Sequence, residues 1–399
     1  MADTKVASPH TMTFGQLLKK NVRSYSMFIM LALIFVVFAV LTGGINFSAR
    51  NVSNIFMQNS YILILACGMV LVIIIGNIDL SVGSIAAFTG AIAAMLYNTG
   101  MGLIPTVVFT MLIGSVIGIW QGFWIAFMRV PSFIVTLSGM LLFRGLTYVI
   151  TNVSPIALQD DGFSVITSGF ISSESLMVGE THLLPWIVGA ALAVLLVVSS
   201  LSSRNNKRGK GFSLEPMPAF VLRNLFVIGL IAILSWKFAD FRGLPIVGIV
   251  LAIVVTILTF VTNRTVFGRY IYAVGGNARS AKLSGINAEL VEFFVFVVMG
   301  SLAGLAGLVF AGYMNSALPQ AGQLFELDAI AAVFIGGASM SGGIGTVIGA
   351  IIGGLVMGVI NNGMSLMNIG ADWQYVVKAL VLLLAVFYDI YTRRKAGLA

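Results

Sequence analysis

Long apolar runs, which recur from Tyr25 almost to the end of the chain, constrain the fold of this sequence most strongly. Each run has roughly 17 to 25 residues, which is enough to cross about 30 Å of hydrocarbon as a helix. Lipid offers no hydrogen bonds to the backbone, so only helices and closed barrels span it, and these runs lack the alternation of barrel strands. Charged residues make up 9% of the chain, against about 25% in soluble domains. The sequence therefore predicts an all-α polytopic membrane protein.

Polar residues divide the apolar sequence into about twelve hydrophobic segments. These lie near residues 25–42, 58–75, 83–98, 103–128, 131–151, 184–202, 224–239, 245–262, 289–313, 326–341, 344–362 and 375–391. Segments 83–98 and 326–341 are short and rich in glycine and alanine, so each is either a full span or a half-helix. We therefore expect ten to twelve spans.

The positive charge of the chain is concentrated in four places. The net charge is +8, and the basic clusters are LKKNVR, SRNNKRGKG, NRTVFGR and TRRK. With twelve crossings these clusters fall on one side, which is typical of the cytoplasmic face and argues against nucleic-acid binding. Both termini are then cytoplasmic, and the first apolar run is a retained span, since it lacks a signal-peptide cleavage site. The predicted parts are an N-terminal tail 1–24, a transmembrane domain 25–391, an outer loop 153–183, inner loops 203–223 and 263–287, and a C-terminal tail 392–399.

A weak internal repeat suggests a two-part design. GSVIGIWQG at 114–122 and GTVIGAIIG at 345–353 share five residues in register, and each follows a stretch rich in small residues that carries an acid. Transporters are often built from duplicated halves. The repeated glycines form stripes that favour close helix packing, with lining of a pore as the alternative.

Several kinds of chemistry are absent from the sequence. It has no G-x-x-x-x-G-K-[ST] loop for a nucleotide phosphate. The two histidines, His10 and His182, lie in polar segments, and Cys67 is the only cysteine, so the sequence predicts no histidine-centred triad and no zinc cluster. We expect no catalytic residue, no metal and no cofactor.

The polar stretch NRTVFGRYIYAVGGNARSAKLSGIN, residues 263–287, is the most informative connection between spans. Asn277 suits the residue before a helix, and Gly285 suits the left-handed position after one. We expect an exposed helix of about two turns between them. A simple juxtamembrane turn that orients the chain through its arginines is the alternative.

The motifs GNIDLSVGS, RVPSFIVTLSGMLLFRG, GRYIYAVGGNARSAKLSGIN, LDAIAAVFIGGASMSGGIGTVIGA and NNGMSLM occur in this order. Together they resemble the permease subunits of bacterial ABC importers for monosaccharides of the ribose, galactose and xylose type. The resemblance covers nearly the whole chain from about residue 50. The additional segment 203–245, with GFSLEP and FRGLPIV, resembles the xylose and multiple-monosaccharide branch.

The resemblance implies a non-catalytic transport subunit in the bacterial inner membrane. Two permease copies would form a homodimer around the pathway, a periplasmic sugar-binding protein would dock outside, and an ATPase subunit with two fused nucleotide-binding domains would dock inside. The family's ATPase-coupling segment matches Asn277, Ala278, Arg279, Ser280, Ala281, Lys282, Leu283, Ser284 and Gly285. Such a helix would convey ATP-driven closure to the spans as a rigid-body movement.

Charged residues within apolar surroundings are the remaining candidates. Asp79, in the family signature with Asn77, Ser81 and Gly83, is either a helix cap, a gate or pathway residue, or the ion-pair partner of Arg144. Glu326 and Asp328 open a later helix and are expected to act as caps rather than sugar ligands. Lys378 lies near enough to a helix end to extend its ammonium group to water. The role of Arg144 stays open.

Two other classes of transport protein compete with an ABC permease. A secondary symporter is expected to place coupling carboxylates or histidines in mid-membrane, whereas here the acids lie at helix starts. A channel or membrane scaffold is the third class. The cargo of a sugar permease cannot be chosen from this sequence among D-xylose, galactose, glucose and arabinose, because selectivity in such systems resides largely in the binding protein.

Overall fold

The structure is a computed structural model that describes residues 14–172, 177–179, 181–212 and 214–395. Most of the predicted N-terminal tail, with His10, and the last four residues of the chain lie outside these ranges. The remainder is dominated by helices.

Fifteen α-helices run through the described part of the chain. They are α1 (Phe14–Leu41), α2 (Ala49–Ile74), α3 (Val82–Asn98), α4 (Leu103–Gly122), α5 (Ser132–Thr151), α6 (Val165–Ser168), α7 (Leu184–Gly209), α8 (Met217–Ala239), α9 (Ile246–Arg264), α10 (Val266–Gly276), α11 (Ala278–Leu283), α12 (Ala288–Tyr313), α13 (Phe325–Ile335), α14 (Val347–Leu366) and α15 (Ala371–Lys395). A 3-10 turn occupies Ile45–Phe47, and a π-helical turn, Phe123–Phe127, continues α4.

Six strands of two residues each lie in the connections. They are β1 (Ile156–Ala157), β2 (Phe170–Ile171), β3 (Met177–Val178), β4 (Thr181–His182), β5 (Leu244–Pro245) and β6 (Ser316–Ala317). Strand β1 pairs antiparallel with β6, and β3 pairs antiparallel with β4. These short pairs fasten loops and do not form a separate β layer.

Each of the twelve predicted apolar segments coincides with a helix. Among the described residues, eight helices are long and apolar enough to cross a membrane, namely α2, α4 with its π-helical turn, α5, α7, α8, α9, α12 and α14. The apolar helices Met27–Leu41 and α3 are shorter. Helix α13 has 11 residues and rises about 16 Å, so the helix in segment 326–341 is a half-helix, too short to cross the bilayer by itself.

The connections are more helical than the sequence suggested. Helix α7 continues to Gly209 and α8 begins at Met217, so the predicted inner loop 203–223 shrinks to a short turn. The arginines and the lysine at the end of α7 have good helix propensity and favour continuation of the helix. The loop predicted at 263–287 contains α10 and α11, and the one at 153–183 contains short strands and α6.

The chain divides into two compact units. The first consists of Met1–Ser26, Ser48–Ser53 and Phe170–Leu244, and the second of Met27–Phe47, Asn54–Gly169 and Pro245–Ala399. In the first unit α7 packs against α8. The hydroxyl of Ser200 donates to Oδ1 of Asn224 at 2.9 Å across this helix pair.

The core of the second unit is built around α12, which packs along α3 and α4. A Cβ on Gly114 would lie 2.2 Å from the carbonyl oxygen of Gly300, so the α4 and α12 backbones are in direct contact. Helices α13 and α14 meet in the same way, since a Cβ on Gly349 would lie 2.2 Å from the carbonyl oxygen of Gly336. Glycines of both repeated motifs therefore act in close helix packing, as predicted from their spacing.

Candidate functional site

Helix α11 is the short exposed helix predicted between Asn277 and Gly285. The side-chain oxygen of Asn277 accepts the N–H of Ser280 at 2.8 Å, and Gly285 has a φ of +84°. This left-handed backbone is cheap for glycine, so it ends the helix cleanly. The capped helix is therefore confirmed, whereas the coupling role of α11 stays a prediction.

Almost the whole surface of α11 faces outward. Only Ala281 is buried, and it fixes the helix to the rest of the unit. Leu283 is 84% exposed, and Arg279 and Lys282 are exposed beside it. A large apolar side chain flanked by cations at the tip of a helix is a chemically mixed surface of the kind that protein partners contact.

An ion pair links the first turn of α12 to α11. Glu289 accepts a hydrogen bond from Lys282 of α11, and Nη2 of Arg129 lies 3.5 Å from Oε1 of the same carboxylate. Arg129 follows the π-helical turn and has a φ of 57°. Asn287 caps α12 by accepting the N–H of Leu290 at 3.0 Å.

A cleft of about 430 Å³ lies beside this cluster. Its polar lining comprises Asn77, Arg129, Ser132, Arg279, Lys282, Glu289 and Glu292. At one wall the amide of Asn77 donates to Oε1 of Glu292 at 2.5 Å. The cleft thus brings together α11, the first turn of α12 and the segment that joins α2 to α3.

The connection between α2 and α3, which we call the first interruption (residues 75–81), contains Asp79. Its carboxylate is 1% exposed. It accepts the N–H of Ser81 at 2.9 Å and the hydroxyl of Ser81 at 2.5 Å, and Gln121 donates to that hydroxyl at 2.7 Å. The capping prediction holds in part: Asp79 binds the N–H of the residue that precedes α3, as in an Asx-turn, and not those inside the helix.

The predicted ion pair between Asp79 and Arg144 is wrong. Among the residues that the structure describes, Asp79 has its partners in Ser81, and the guanidinium of Arg144 donates instead to the carbonyl oxygen of Ala321. This carbonyl belongs to the connection before α13, which we call the second interruption (residues 318–324). Arg144 therefore binds the backbone of the second interruption, whereas Asp79 binds the backbone of the first.

The start of α3 touches the second interruption through glycine. A Cβ on Gly83 would lie 2.1 Å from the carbonyl oxygen of Gly322 and 2.6 Å from Oε2 of Glu326. Gly322 has a φ of +74° and faces Gly83 equally closely. Because no side chain fits between them, the start of α3 and the connection before α13 lie backbone against backbone.

Glu326 and Asp328 lie inside the first turn of α13, which begins at Phe325, and the preceding residue, Leu324, makes no side-chain capping bond. The carboxylate of Glu326 accepts the backbone N–H of its own residue, one of the free N–H groups of this turn, so the capping prediction holds in part for Glu326. It is not borne out for Asp328. Asp328 instead accepts from Lys378 at 2.8 Å, so Lys378 pairs with α13 and does not extend to a helix end.

The glycine-rich loop after α13 closes onto the end of α2. Gly343 donates its N–H to the carbonyl oxygen of Ile74 at 2.8 Å. Tyr272 of α10 donates to the carbonyl oxygen of Gly345 at 2.8 Å, and burial raises the pKa of Tyr272, so the phenol remains a donor at neutral pH. The loop thereby joins α10 to the first interruption.

Sequence reasoning missed Glu289, Glu292, Gln121 and Gly322. The one available signal was the pair of carboxylates three residues apart at the start of a predicted span, a spacing that places both on one helix face. Within residues 14–172, 177–179, 181–212 and 214–395, no group of three histidine, cysteine, aspartate or glutamate side chains is arranged to hold a metal ion.

A bundle of apolar helices with two interrupted segments and one exposed, capped helix defines a polytopic membrane protein. Residues 51–386 match the family described as branched-chain amino acid transport system, permease component. The chain belongs to this permease family. No solved structure matches it.

Relatives of this chain are similar along nearly their full length. The xylose transport system permease protein XylH of Haemophilus influenzae is 39% identical over 94% of this chain and 98% of its own. XylH of Escherichia coli K12 is 37% identical over 99% of this chain and 98% of its own. The ribose import permease protein RbsC of Escherichia coli K12 is 34% identical over 90% of this chain and 92% of its own.

Proposed function

We propose that this chain is the permease subunit of an ATP-binding-cassette importer that carries a monosaccharide, with D-xylose as the first candidate, across the bacterial inner membrane. The proposal is supported by the family and by the permeases named for xylose, which share 37–39% identity over almost the whole chain. The permease named for ribose is less similar and covers less of the chain. The subunit itself hydrolyses nothing, and a separate ATPase supplies the free energy.

Helix α11 is the proposed docking point for that ATPase, in which two nucleotide-binding domains are fused. The observation that carries this assignment is the exposure of Leu283 on a capped helix that also exposes Arg279, whereas the neighbouring cation Lys282 is paired with Glu289. In a contact Leu283 would provide apolar area. Arginine beside it is typical of interfaces.

The membrane arrangement follows from this assignment. The coupling segment and both termini lie in the cytoplasm, and the connection 153–183 faces the periplasm, where a sugar-binding protein docks. A second copy of the permease completes the pathway. We assign the buried residues Asp79, Ser81, Gly83 and Glu326 to the architecture of the interruptions rather than to the cargo, because the Asp79 carboxylate is satisfied within the protein and a monosaccharide is neutral.

Uptake into vesicles tests the function. The permease is reconstituted with the ATPase subunit and the binding protein, and D-xylose, D-ribose and leucine are offered in parallel, the last because of the family's description. We expect uptake of D-xylose that requires all three components and ATP and persists after proton and sodium gradients are collapsed. Uptake by the permease alone, or driven by an ion gradient, would identify a symporter or a channel.

Leu283→Asp tests the docking point. We expect it to abolish association with the ATPase subunit, because the carboxylate removes the apolar contact at the centre of the surface. Phe212→Asp is the matched control, since Phe212 is also exposed and lies in the connection between α7 and α8. Equal loss of association in both variants would show that α11 is not the specific docking point for the ATPase subunit.

Cysteine labelling tests the orientation. The native Cys67 is buried, so a cysteine introduced as Leu283→Cys is the accessible thiol. We expect an impermeant maleimide to label it in inside-out vesicles and not in intact cells. Labelling from the periplasm would place α11 on the wrong side for an ATPase.

A further inference from the structure

The N-terminal end of α12, residues 288–292, carries two carboxylates that connect three separate parts of the chain. Glu289 and Glu292 are three residues apart and therefore share one face of the helix. Both line the same cleft. The two carboxylates contact different elements of the chain. This part of α12, which we call the acidic turn, therefore connects those elements.

Glu289 joins the coupling segment to the end of α4. It binds Lys282, which belongs to α11, and Arg129, which follows the π-helical turn. The side chain of Lys282 is 46% exposed and that of Glu289 is 25% exposed. Exposed ion pairs of this kind contribute little to folding, so a contribution to stability does not account for this arrangement.

Glu292 joins the same turn to the first interruption. Its partner Asn77 lies 215 positions earlier in the chain and two residues before Asp79. Asp79 is linked through the Ser81 hydroxyl to Gln121 of α4. Polar contacts, together with the short backbone segment between Asn77 and Asp79, thus connect the acidic turn to the start of α3.

Helix α12 has little freedom to move independently of α3 and α4. A Cβ on Gly304 would lie 2.5 Å from the carbonyl oxygen of Thr110, and one on Gly307 would lie 2.1 Å from that of Ala86. Contacts between backbones transmit displacement without the slack of side-chain rotation. A displacement of the acidic turn therefore moves α12 together with α3 and α4.

We propose that Glu289 and Glu292 are positioning residues that convert a displacement of α11 into movement of α12, of the segment before α5 and of the first interruption. This inference rests on the proposed function, since it presumes that an ATPase moves α11. Arg129 and Asn77 are the receiving ends of the two links. The ion pair between Lys282 and Glu289 is the step closest to the ATPase.

The test exchanges the charges of this ion pair in the reconstituted importer. The variants are Lys282→Glu, Glu289→Lys and the double exchange, with sugar transported per ATP hydrolysed as the readout. We expect each single variant to lower this ratio about fivefold or more, the lower end of typical coupling between two sites. The double exchange should restore only part of it, because it rebuilds the ion pair between α11 and α12 but not the contact of Arg129 with position 289. Association with the ATPase subunit should stay unchanged in all three.

The ion pair of Glu215 with Arg223 is the matched control. Its two side chains are 26% and 40% exposed, close to the values at Glu289 and Lys282, but the pair lies at the start of α8, away from the coupling segment in sequence. Exchange of these two charges should leave the transport ratio unchanged. An equal fall in both pairs would reveal a general effect of charge and overturn the proposal.

Glu292 provides a second arm that does not depend on charge. Glu292→Gln keeps an oxygen that can accept from Asn77, whereas Glu292→Leu does not, so we expect the first to retain most of the transport ratio and the second to lose it. Equal loss in both, or normal coupling in Glu292→Leu, would refute the role of this link.

The outcomes also separate this inference from the proposed function. If the unaltered complex shows no ATP-dependent uptake, the function is wrong. If it transports normally and the exchanged variants do as well, only the positioning role is wrong. If Lys282→Glu removes the ATPase subunit from the complex, Lys282 belongs to the docking surface itself and the positioning role is again overturned.

Discussion

Helices α7 and α12 have almost the same length and hydropathy but differ in what they touch. Both have 26 residues, and their mean hydropathies are 2.3 and 2.4. Within the protein, 67% of the α12 window is buried against 11% of the α7 window. Hydropathy therefore identifies both as membrane helices and does not distinguish a helix packed against protein from one with an open apolar surface.

The difference between α7 and α12 follows from small residues. Helix α12 carries Gly300, Gly304 and Gly307, whose missing Cβ atoms face the backbones of α3 and α4. In the pair α7 and α8, by contrast, Gly189 faces side chains, of which Ser235 is the nearest, and Gly229 has nothing within 4 Å of its missing Cβ. In lipid, apolar area alone gives little reason for two helices to associate, so close backbone packing must supply it. Three pairs of substitutions test this account of helix packing.

The largest effect is expected from the charge pair in the packed region. Lys378→Met leaves Asp328 buried without its partner, which costs about 3–5 kcal/mol. Arg223→Met, in the helical pair α7 and α8, breaks an exposed ion pair and costs about 0–1 kcal/mol. Unfolding in a titration with sodium dodecyl sulfate measures both free energies of unfolding, and equal costs would abolish the distinction between the regions.

A smaller effect is expected at the first interruption. Asp79→Leu leaves the N–H of Ser81 without its acceptor, at about 1–3 kcal/mol for this buried group, while the hydroxyl of Ser81 keeps its contact with Gln121. Asp79→Asn keeps an oxygen at that place and should be tolerated far better. If both variants lose the same free energy of unfolding in this titration, the contribution of Asp79 to stability comes from its negative charge and not from its hydrogen bonds.

The smallest effect compares two glycines inside helices. Gly300→Ala inserts a Cβ against the backbone of Gly114, and we expect overpacking to cost about 1–3 kcal/mol. Gly229→Ala meets open space and should stabilise α8 by up to about 1 kcal/mol, because alanine is the better helix former. Thermal unfolding in detergent should move the two midpoints in opposite directions, and a shared direction would contradict the packing assigned to α12.

The positions of the helices were predictable from sequence because each depends on a continuous apolar run. The short helix α11 was also predictable, since Asn277 and Gly285 act on the backbone within a few residues of themselves. Even the half-helix α13 was anticipated as one of two alternatives for 326–341. Local chemistry and length were sufficient for all of these.

The contacts of the candidate site were not predictable in the same way. Asn77 and Glu292 are far apart in sequence, and no local pattern relates them. The ion pair of Asp79 with Arg144, one of three alternatives for Asp79, is not formed, because a carboxylate can be satisfied by a neighbouring hydroxyl and N–H, and a guanidinium by a carbonyl. Opposite charge selects possible partners, but the packing of α3 against the second interruption decides which are within reach.

The π-helical turn at Phe123–Phe127 gives the chain a place to absorb a change in length. Met128 donates its N–H to the carbonyl oxygen five residues earlier, at Phe123, so this turn holds one residue more than an ordinary α turn. Deletion of one residue here would return the helix to α geometry with Arg129 still directed at Glu289. The same deletion one turn earlier would rotate the following residues by about 100° and separate the two charges.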